Sequence, residues 1–223
     1  MTTLDIDKKN NEFLISQAKS IIEWGVSHFK DRIFMTSAFG ANGVVLLDII
    51  KEVVPNIQIF FIDTSYHYEE TLDITNYYKE RGFNIVEIKS GIVDRNKKVF
   101  DMGHDICCNI NKVEPMRKLL SDKKDSLWIT GLSRDQSDTR SAVAFLELID
   151  NNVYKLNPLV AWKETDIWFY ISKNNIKYNS LYDKGYRSIG CKPCTTPVKS
   201  GENARAGRWR GIDKKECGLH TKS

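Results

Sequence analysis

The chain has 223 residues, of which 41% are hydrophobic and 28% charged, as in an ordinary globular protein. Its net charge of +4 is small and its basic residues are dispersed, which argues against nucleic-acid binding. Its most apolar runs, VVLLDII and IQIFFI, are too short to cross a bilayer, and the opening MTTLDIDKKNNEF lacks the apolar core of a signal peptide. We therefore expect a soluble, cytoplasmic protein without a membrane or nucleic-acid partner.

The first predicted element is an amphipathic helix over residues 10–29, in which apolar residues recur at helical spacing. Strands and helices then alternate, which is typical of a mostly parallel, doubly wound α/β sheet with helices on both faces. Beyond residue 155 the alternation gives way to one helix at about 162–174 and an irregular segment rich in Gly and Arg. The predicted strands are 33–39, 57–64, 84–90 and 126–133, and the predicted helices between them are 41–54, 69–82 with Gly82 as its C-cap, and a helix near 110–121.

No internal repeat or Pro/Ser-rich linker interrupts the chain, so residues 1–223 are predicted to form a single domain. Its parts are an N-terminal helix at about 1–30, a nucleotide-binding α/β core at 31–175, and a loop and tail at 176–223. In such sheets ligands bind at the carboxyl ends of the strands. The loops at those ends are TSAFGANG (36–43), DTSYHYEET (63–71) and TGLSRDQSDTR (130–140).

The loop TSAFGANG follows a strand and opens a helix, the setting in which backbone N–H groups hold an anion. It resembles, in weakened form, the PP-loop S-G-G-x-D-S of the adenine-nucleotide α-hydrolase superfamily, with Asn42 at the aspartate position. An acid there would help hold magnesium against a triphosphate. Its absence argues against ATP as the substrate.

The five cysteines comprise the adjacent Cys107 and Cys108, the C-x-x-C pair of Cys191 and Cys194, and a single Cys217. An odd number in a reducing compartment disfavours disulfides. Two pairs and one single residue suggest a metal centre with a separate free thiol. Zinc and an iron–sulfur cluster both accept four thiolates, and the spacing does not choose between them.

Six motifs occur in an order that resembles the assimilatory adenylylsulfate (APS) reductases, within the phosphoadenylylsulfate reductase family of the adenine-nucleotide α-hydrolase-like superfamily. The resemblance runs from about residue 33 to the end of the chain. It implies that the chain reduces APS to sulfite and AMP. The motifs are CCNINKVEPMRK, WITGLSRDQSDTR, LNPLVAWKETDIWFYI, YNSLYDKGYRSIGCKPCT, GENARAGRWRG and KKECGLH.

The resemblance assigns Cys217, in E-C-G-L-H, as the nucleophile, since a thiolate is a strong nucleophile near neutral pH. Attack on the sulfur of APS would give an S-sulfocysteine and AMP, and thioredoxin or glutaredoxin would then release sulfite. A mobile tail would let Cys217 face the substrate and then the partner protein. Lys214 and Lys215 favour its thiolate whereas Glu216 opposes it, so the sequence alone sets no direction for its pKa.

The resemblance also assigns a [4Fe–4S] cluster to Cys107, Cys108, Cys191 and Cys194. The branch of the family specific for phosphoadenylylsulfate (PAPS) typically lacks these cysteines, so their presence favours APS, although some cluster-bearing members accept both substrates. Family members are often homo-oligomers, and the resemblance implies the same here.

Fixed cations are needed because the substrate is anionic at both phosphate and sulfate. The residues that align with phosphosulfate-binding positions are Lys112, Arg140, Arg205 and Arg208, with Arg134 and His104 as further candidates and His220 as a neighbour. The residues expected to hold the nucleotide are Ser37, Gly40, Asp63 and Thr64. Two positions depart from the family pattern: Ala38 replaces a serine in the loop, and Arg187 replaces a usual proline.

Three other functions are consistent with parts of the sequence. A PP-loop ATP-dependent sulfur-transfer enzyme, such as a tRNA thiolation ATPase, is disfavoured by Asn42 at the magnesium-binding position. A zinc-stabilised nucleotide-binding module leaves Cys217 without a task. Reduction of PAPS, alone or with APS, stays open.

Overall fold

A six-stranded sheet forms the centre of the computed structural model, which describes residues 4–14, 17–90 and 99–220. The strand order is β3-β2-β1-β4-β6-β5. Neighbouring strands run parallel except β5, which pairs antiparallel with β6 at one edge. The strands are β1 (Ile33–Thr36), β2 (Gln58–Asp63), β3 (Ile85–Lys89), β4 (Leu127–Ile129), β5 (Leu146–Ile149) and β6 (Val153–Leu156).

Helices cover both faces of this sheet. A short π-helical turn, Asn109–Val113, joins α5 to α6, so this region forms one continuous helical segment. Within the described residues, no helix is both long and apolar enough to cross a membrane. The α-helices are α1 (Ile6–Phe13), α2 (Ala18–Phe29), α3 (Ala41–Val53), α4 (Glu69–Glu80), α5 (His104–Cys108), α6 (Glu114–Asp122) and α7 (Glu164–Lys173).

Two hydrophobic cores lie on opposite faces of the sheet, because successive strand residues point to opposite sides. Met35 and Phe61 belong to the larger core, which includes residues of α2, α3, α4 and α7. Their neighbours Phe34 and Phe60 belong to the smaller core beneath α6. The predicted mostly parallel α/β architecture with helices on both faces is confirmed.

The predicted helix over 10–29 is wrong as one element, since α1 ends at Phe13 and α2 begins at Ala18. Asn10 on α1 binds the edge strand β5. Its side-chain amide donates to the carbonyl of Leu146 (3.0 Å) and accepts from the Leu146 N–H (2.8 Å). Asn10 thus satisfies the backbone N–H and carbonyl that Leu146 presents at the open edge of β5. The prediction of one opening helix did not include this contact.

The hairpin of β5 and β6 was not predicted. Its turn contains Asn151 and Asn152, whose φ angles are 60° and 58°. Two successive left-handed residues characterise a type I′ turn, for which asparagine is a favoured residue. The signal was therefore present in IDNNVYK, but it stands at the point where the helix–strand alternation ends. The predicted C-cap is off by one residue, since α4 ends at Glu80 with Arg81 as its C-cap. Gly82 follows the cap with a φ of 79°, the left-handed conformation that often terminates a helix.

Phe39 fixes the loop between β1 and α3. Its φ is 54°, a left-handed conformation that costs a non-glycine residue about 1–2 kcal/mol. The side chain is fully buried, with its ring centroid 5.6 Å from that of Phe61 and 6.0 Å from that of Tyr78. Burial of the ring offsets the backbone cost and aims the following amides out of the core.

We expect Phe39→Ala to destabilise the protein by about 3–5 kcal/mol, because it removes a fully buried ring and leaves a cavity. Urea unfolding followed by circular dichroism measures the change. Phe169→Ala is the matched control, since Phe169 is 68% exposed and its replacement should stay within about 0.5 kcal/mol of wild type. Equal effects for the two variants would contradict the anchoring role of Phe39.

Candidate active site

A cavity of about 290 Å³ opens at the carboxyl ends of β1, β2 and β4. Residues from all three loops named in the sequence line it, together with part of the C-terminal segment. Parallel strands bring these loops to one edge, as the fold class predicts. Among the predicted site residues, those that line this cavity are Ser37, Gly40, Lys112, Arg140, Arg205, Arg208 and Cys217.

The N-terminus of α3 forms one wall. Gly40 is the N-cap residue, and the Ala41 N–H donates to the Tyr182 hydroxyl at 2.8 Å. The next two amides, of Asn42 and Gly43, have no acceptor among the described residues. A Cβ atom at Gly43 would lie 2.7 Å from Ser37 Oγ, so glycine lets the loop approach the helix. These amides and the helix dipole suit a phosphate.

Asn42 does not supply a carboxylate to this wall. Its amide nitrogen donates to Ser133 Oγ at 3.1 Å, which ties the β1 loop to the β4 loop. The position that would hold magnesium in an ATP-cleaving relative is therefore occupied by a neutral, hydrogen-bonded side chain.

A second, much smaller cavity lies behind the first. All four paired cysteines line it, as do Lys112 and Arg208, which also line the large cavity. Two of the thiols have polar neighbours: Cys191 Sγ lies 3.3 Å from Thr64 Oγ1, and Cys107 Sγ accepts a weak hydrogen bond from Asn111 at 3.5 Å. Burial raises the pKa of Cys107 and Cys194, and raises that of Cys108 to about 11.

The four thiols come together because two distant segments pack side by side. Cys107 and Cys108 end α5, whereas Cys191 directly precedes a short 3₁₀ turn, Lys192–Cys194, whose last residue is Cys194. Across the described residues, no group of three or more His, Cys, Asp or Glu side chains is arranged around a single ion.

Backbone pairing joins the C-x-x-C turn to the arginine-rich segment. Thr195 pairs antiparallel with Arg208, and the Thr196 N–H donates to the Gly207 carbonyl at 2.8 Å. A Cβ atom at Gly207 would lie 2.0 Å from the Thr196 oxygen, so only glycine permits this approach. The cysteine turn therefore fixes where Arg208 stands.

Cys217 is partly buried in the large cavity. Burial would raise the pKa of its thiol, but the Lys112 ammonium, the Leu219 backbone N–H and Arg208 together lower the pKa below its usual value. Glu216 acts in the opposite direction and is outweighed. The direction that the sequence left undetermined is thus set mainly by Lys112, a distant residue, rather than by the adjacent lysines.

Lys112 and Arg208 are the cations of the cavity that have no ion-pair partner among the described residues. Burial lowers the pKa of Lys112, yet Cys191 and Cys217 raise it above its usual value overall. No hydrogen bond or ion pair engages its ammonium within the described part of the chain. Arg208 stacks on Trp209 at 4.3 Å, and its buried Nε atom has no acceptor. Both groups therefore remain available to an anion.

Arg140 and Arg205 line the cavity but are already paired with Glu216. Arg140 approaches this carboxylate at 3.0 and 3.1 Å, and Arg205 approaches it at 3.0 Å. Burial and the nearby Arg140 lower the pKa of Arg205 to about 10. Although burial opposes it, the two arginines lower the pKa of Glu216.

His220 lies in the cavity rather than merely beside Cys217. Its ring stacks on Trp128 with 5.5 Å between centroids. Burial and the nearby cations hold its pKa well below the usual range, so the ring is neutral at pH 7. Its Nδ1 atom is buried without a partner.

Four predicted candidates lie outside the large cavity. Asp63 accepts from the Ser65 N–H at 2.8 Å and pairs with Lys89 at 3.6 Å. Arg134 donates to the Val143 carbonyl at 2.8 Å. Thr64 and His104 line the small cavity instead. The role of Asp63, Thr64 and Arg134 in substrate binding therefore stays a prediction that the cavity does not support.

Sequence reasoning missed several lining residues, among them His67 and Tyr182. His67 stacks on Phe61 with 4.7 Å between ring centroids, and burial lowers its pKa. It stands in the polar loop after β2, which was the available signal. Tyr182 stands in the motif YNSLYDKGYRSIGCKPCT, but no local pattern indicates its bond to Ala41, which spans 141 positions. The two departures from the family pattern, Ala38 and Arg187, also line the cavity, and Arg187 is held by an ion pair with Glu164.

Residues 32–197 match a family model described as phosphoadenosine phosphosulfate reductase domain. Adenosine 5'-phosphosulfate reductase 1 of Bacillus subtilis (strain 168) is 38% identical over 91% of this chain and 90% of its own. Adenosine 5'-phosphosulfate reductase of Staphylococcus haemolyticus is 37% identical over 96% of this chain and 91% of its own. The crystal structure of phosphoadenylyl-sulfate reductase from Candida auris, a phosphate complex, superposes with a TM-score of 0.77 at 25% identity over 89% of this chain and 98% of its own.

Lys112→Met should raise the pKa of Cys217, because it removes the cation that most stabilises the thiolate. Alkylation of Cys217 by iodoacetamide, followed against pH by peptide mass spectrometry, measures this shift. The midpoint of the rate profile moves to higher pH, and alkylation at pH 7 slows. Lys118→Met, an exposed position on α6, is the control and should keep the wild-type midpoint. An unchanged midpoint in Lys112→Met would show that Lys112 does not set the thiol pKa.

Proposed function

The chain belongs to the phosphoadenosine phosphosulfate reductase family, and from that premise we propose that it reduces adenylylsulfate to sulfite and AMP. One observation carries the proposal: Cys217, whose thiol pKa is lowered, shares a cavity with Lys112 and Arg208, two cations that no described carboxylate pairs with. Curated relatives named as adenosine 5'-phosphosulfate reductases, 37–39% identical over most of the chain, support APS as the substrate.

The nucleotide is proposed to lie along the β1–α3 loop. The AMP phosphate would accept hydrogen bonds from the backbone N–H groups of Asn42 and Gly43 and from the hydroxyl of Ser37. Lys112 and Arg208 would meet the sulfate end, where fixed positive charge balances the anion and favours attack by a thiolate. Arg140 and Arg205 add to the positive field of the cavity.

In the proposed reaction, the Cys217 thiolate attacks the sulfur of the phosphosulfate. A Cys217 Sγ–S bond forms and the S–O bond to phosphate breaks, so that AMP leaves with the electron pair. A thiolate of a dithiol protein, thioredoxin or glutaredoxin, then attacks Cys217 Sγ and sulfite departs with the electrons of the S–S bond. The second thiol of the partner resolves the mixed disulfide, which oxidises the partner and restores Cys217. A cytoplasmic location is proposed with these partners, because a reducing compartment keeps their thiols reduced.

The four paired cysteines are proposed to hold a [4Fe–4S] cluster. They fit one by their chemistry, since all four donors are thiols and all four line a single small cavity. The thiol pKa values of Cys107, Cys108 and Cys194 are raised, so these thiols ionise at neutral pH only if positive charge lies nearby. Bound iron would supply that charge. A bound cluster would add charge to the site and fix the segments that carry Lys112 and Arg208. Both reducing equivalents come from the partner dithiol.

Cys217→Ser should abolish sulfite release, by at least about a thousandfold, because a hydroxyl cannot form the S–S bond. The assay follows sulfite from APS and from PAPS with reduced thioredoxin. We expect wild type to prefer APS, and preference for PAPS would reassign the substrate. Sulfite release that persists in Cys217→Ser would refute the mechanism.

Anaerobically purified protein should be brown, with iron and acid-labile sulfide near four of each per chain. Cys194→Ser should lose most of this absorbance, because it removes one of the four ligands, whereas Cys217→Ser should keep it. A colourless wild-type protein with bound zinc, or full absorbance in Cys194→Ser, would contradict the ligand assignment.

A further inference from the structure

The carboxylate of Glu216, next to Cys217, lies in a pocket built of hydrogen-bond donors. Its side chain is 16% exposed, and the arginine side chains that face it are each 14% exposed. Both carboxylate oxygens receive charged donors, so the pair geometry is a fork rather than a single contact. The hydrogen-bond donors are Arg140 Nε (3.0 Å), Arg140 Nη2 (3.1 Å), Thr139 Oγ1 (3.0 Å) and Ser137 Oγ (3.4 Å). Arg205 Nη2 adds an ion pair at 3.0 Å.

This pocket connects distant parts of the chain. Ser137, Thr139 and Arg140 belong to the loop after β4, which lies 76–79 positions before Glu216. Arg205 also donates to the carbonyl of Lys215 at 2.8 Å, so the arginine holds backbone and side chain of the same segment. The contacts therefore fasten the segment that carries Cys217 to the rim of the sheet.

An acid at this position works against both other requirements of the site. Glu216 opposes ionisation of Cys217, and its negative charge offsets part of the positive charge of Arg140 and Arg205, which would otherwise attract an anionic substrate more strongly. Neither effect assists attack on a phosphosulfate. The carboxylate can therefore assist the site only by positioning: its contacts hold Cys217 close to Lys112.

We propose that Glu216 is a positioning residue, whose carboxylate docks the Cys217 segment onto the cavity through Arg140 and Arg205. This inference rests on the proposed role of Cys217 as nucleophile. Loss of the carboxylate releases the segment, exposes the thiol to solvent and removes it from Lys112. The contact between Lys214 and Asp105 is a second tether, so release in a Glu216 variant is partial.

Alkylation of Cys217 in the anaerobically purified protein tests this directly, without substrate. Cleavage at Lys215 and Lys222 yields a peptide containing Cys217, so its modification is separable from that of the other four thiols. In Glu216→Gln, we expect the limiting rate of Cys217 alkylation at high pH to rise about tenfold. The variant loses a largely enclosed ion pair, so the segment opens more often, while the weaker contacts remain. The midpoint of the profile should move to higher pH, because the thiol leaves Lys112.

The direction in which the midpoint of the pH profile shifts distinguishes docking from a simple charge effect. If Glu216 acted only as a neighbouring negative charge, its neutralisation would move the midpoint to lower pH and leave the limiting rate unchanged. That result would overturn the proposal. An unchanged melting temperature in Glu216→Gln excludes a global loss of structure as the cause of faster alkylation.

Two further variants make the test specific. Glu202→Gln is the matched control, since Glu202 forms a similar fork with Arg210 at 2.9 and 2.8 Å outside the cavity and should alkylate as wild type does. Arg140→Gln should speed alkylation less than Glu216→Gln does, because the Arg205 ion pair with Glu216 remains. The double variant should be no faster than Glu216→Gln, because the contact with Arg140 is already lost in that variant. Additive rates in the double variant would overturn the docking role. If the wild-type protein forms no sulfite, the proposed function is refuted, but these alkylation results are unaffected.

Discussion

The site depends on one ammonium group, that of Lys112, which lies between two sets of thiols. A buried ammonium loses its hydration and is stable only where negative charge compensates it. Lys112 has no carboxylate partner among the described residues, and its pKa is nevertheless raised because Cys191 and Cys217 face it. The same attraction lowers the pKa of Cys217. Lysine and thiolate stabilise each other, so the nucleophile and its activating cation form a single electrostatic unit.

The helical segment from α5 to α6 produces this arrangement. Cys107 and Cys108 occupy its first part and Lys112 its π turn, so one continuous segment presents two thiols and a cation to the same region. Wider turns of this kind recur at functional sites because they reorient side chains that an α-helix would spread around its axis. Lys112 therefore reaches both cavities, and the four-cysteine region and the proposed substrate region share a wall.

The parts of the fold that the sequence predicted follow from local patterns. The helix at 41–54 agrees with α3 within one residue, because a long apolar run after a Gly-containing loop defines it. The pairing of Arg140 and Arg205 with Glu216 could not be predicted, since it joins positions far apart that carry no periodic signal. Asp63 and Arg134 were assigned by their place in a motif, and their actual partners, Ser65 and the Val143 carbonyl, are matters of side-chain direction.

The C-terminal segment was expected to be a mobile tail, yet its described part is held on both sides of Cys217. Glu216 is fixed by the arginines, while Leu219 packs against the smaller core and His220 stacks on Trp128. Among these anchors, the ionic contacts are exchangeable with solvent and with other anions at little cost, whereas burial of Leu219 is not. A thiol that meets first a small anion and then a protein therefore does not need a disordered tail. It needs a docked segment whose polar contacts open while its apolar contact keeps the segment near the site.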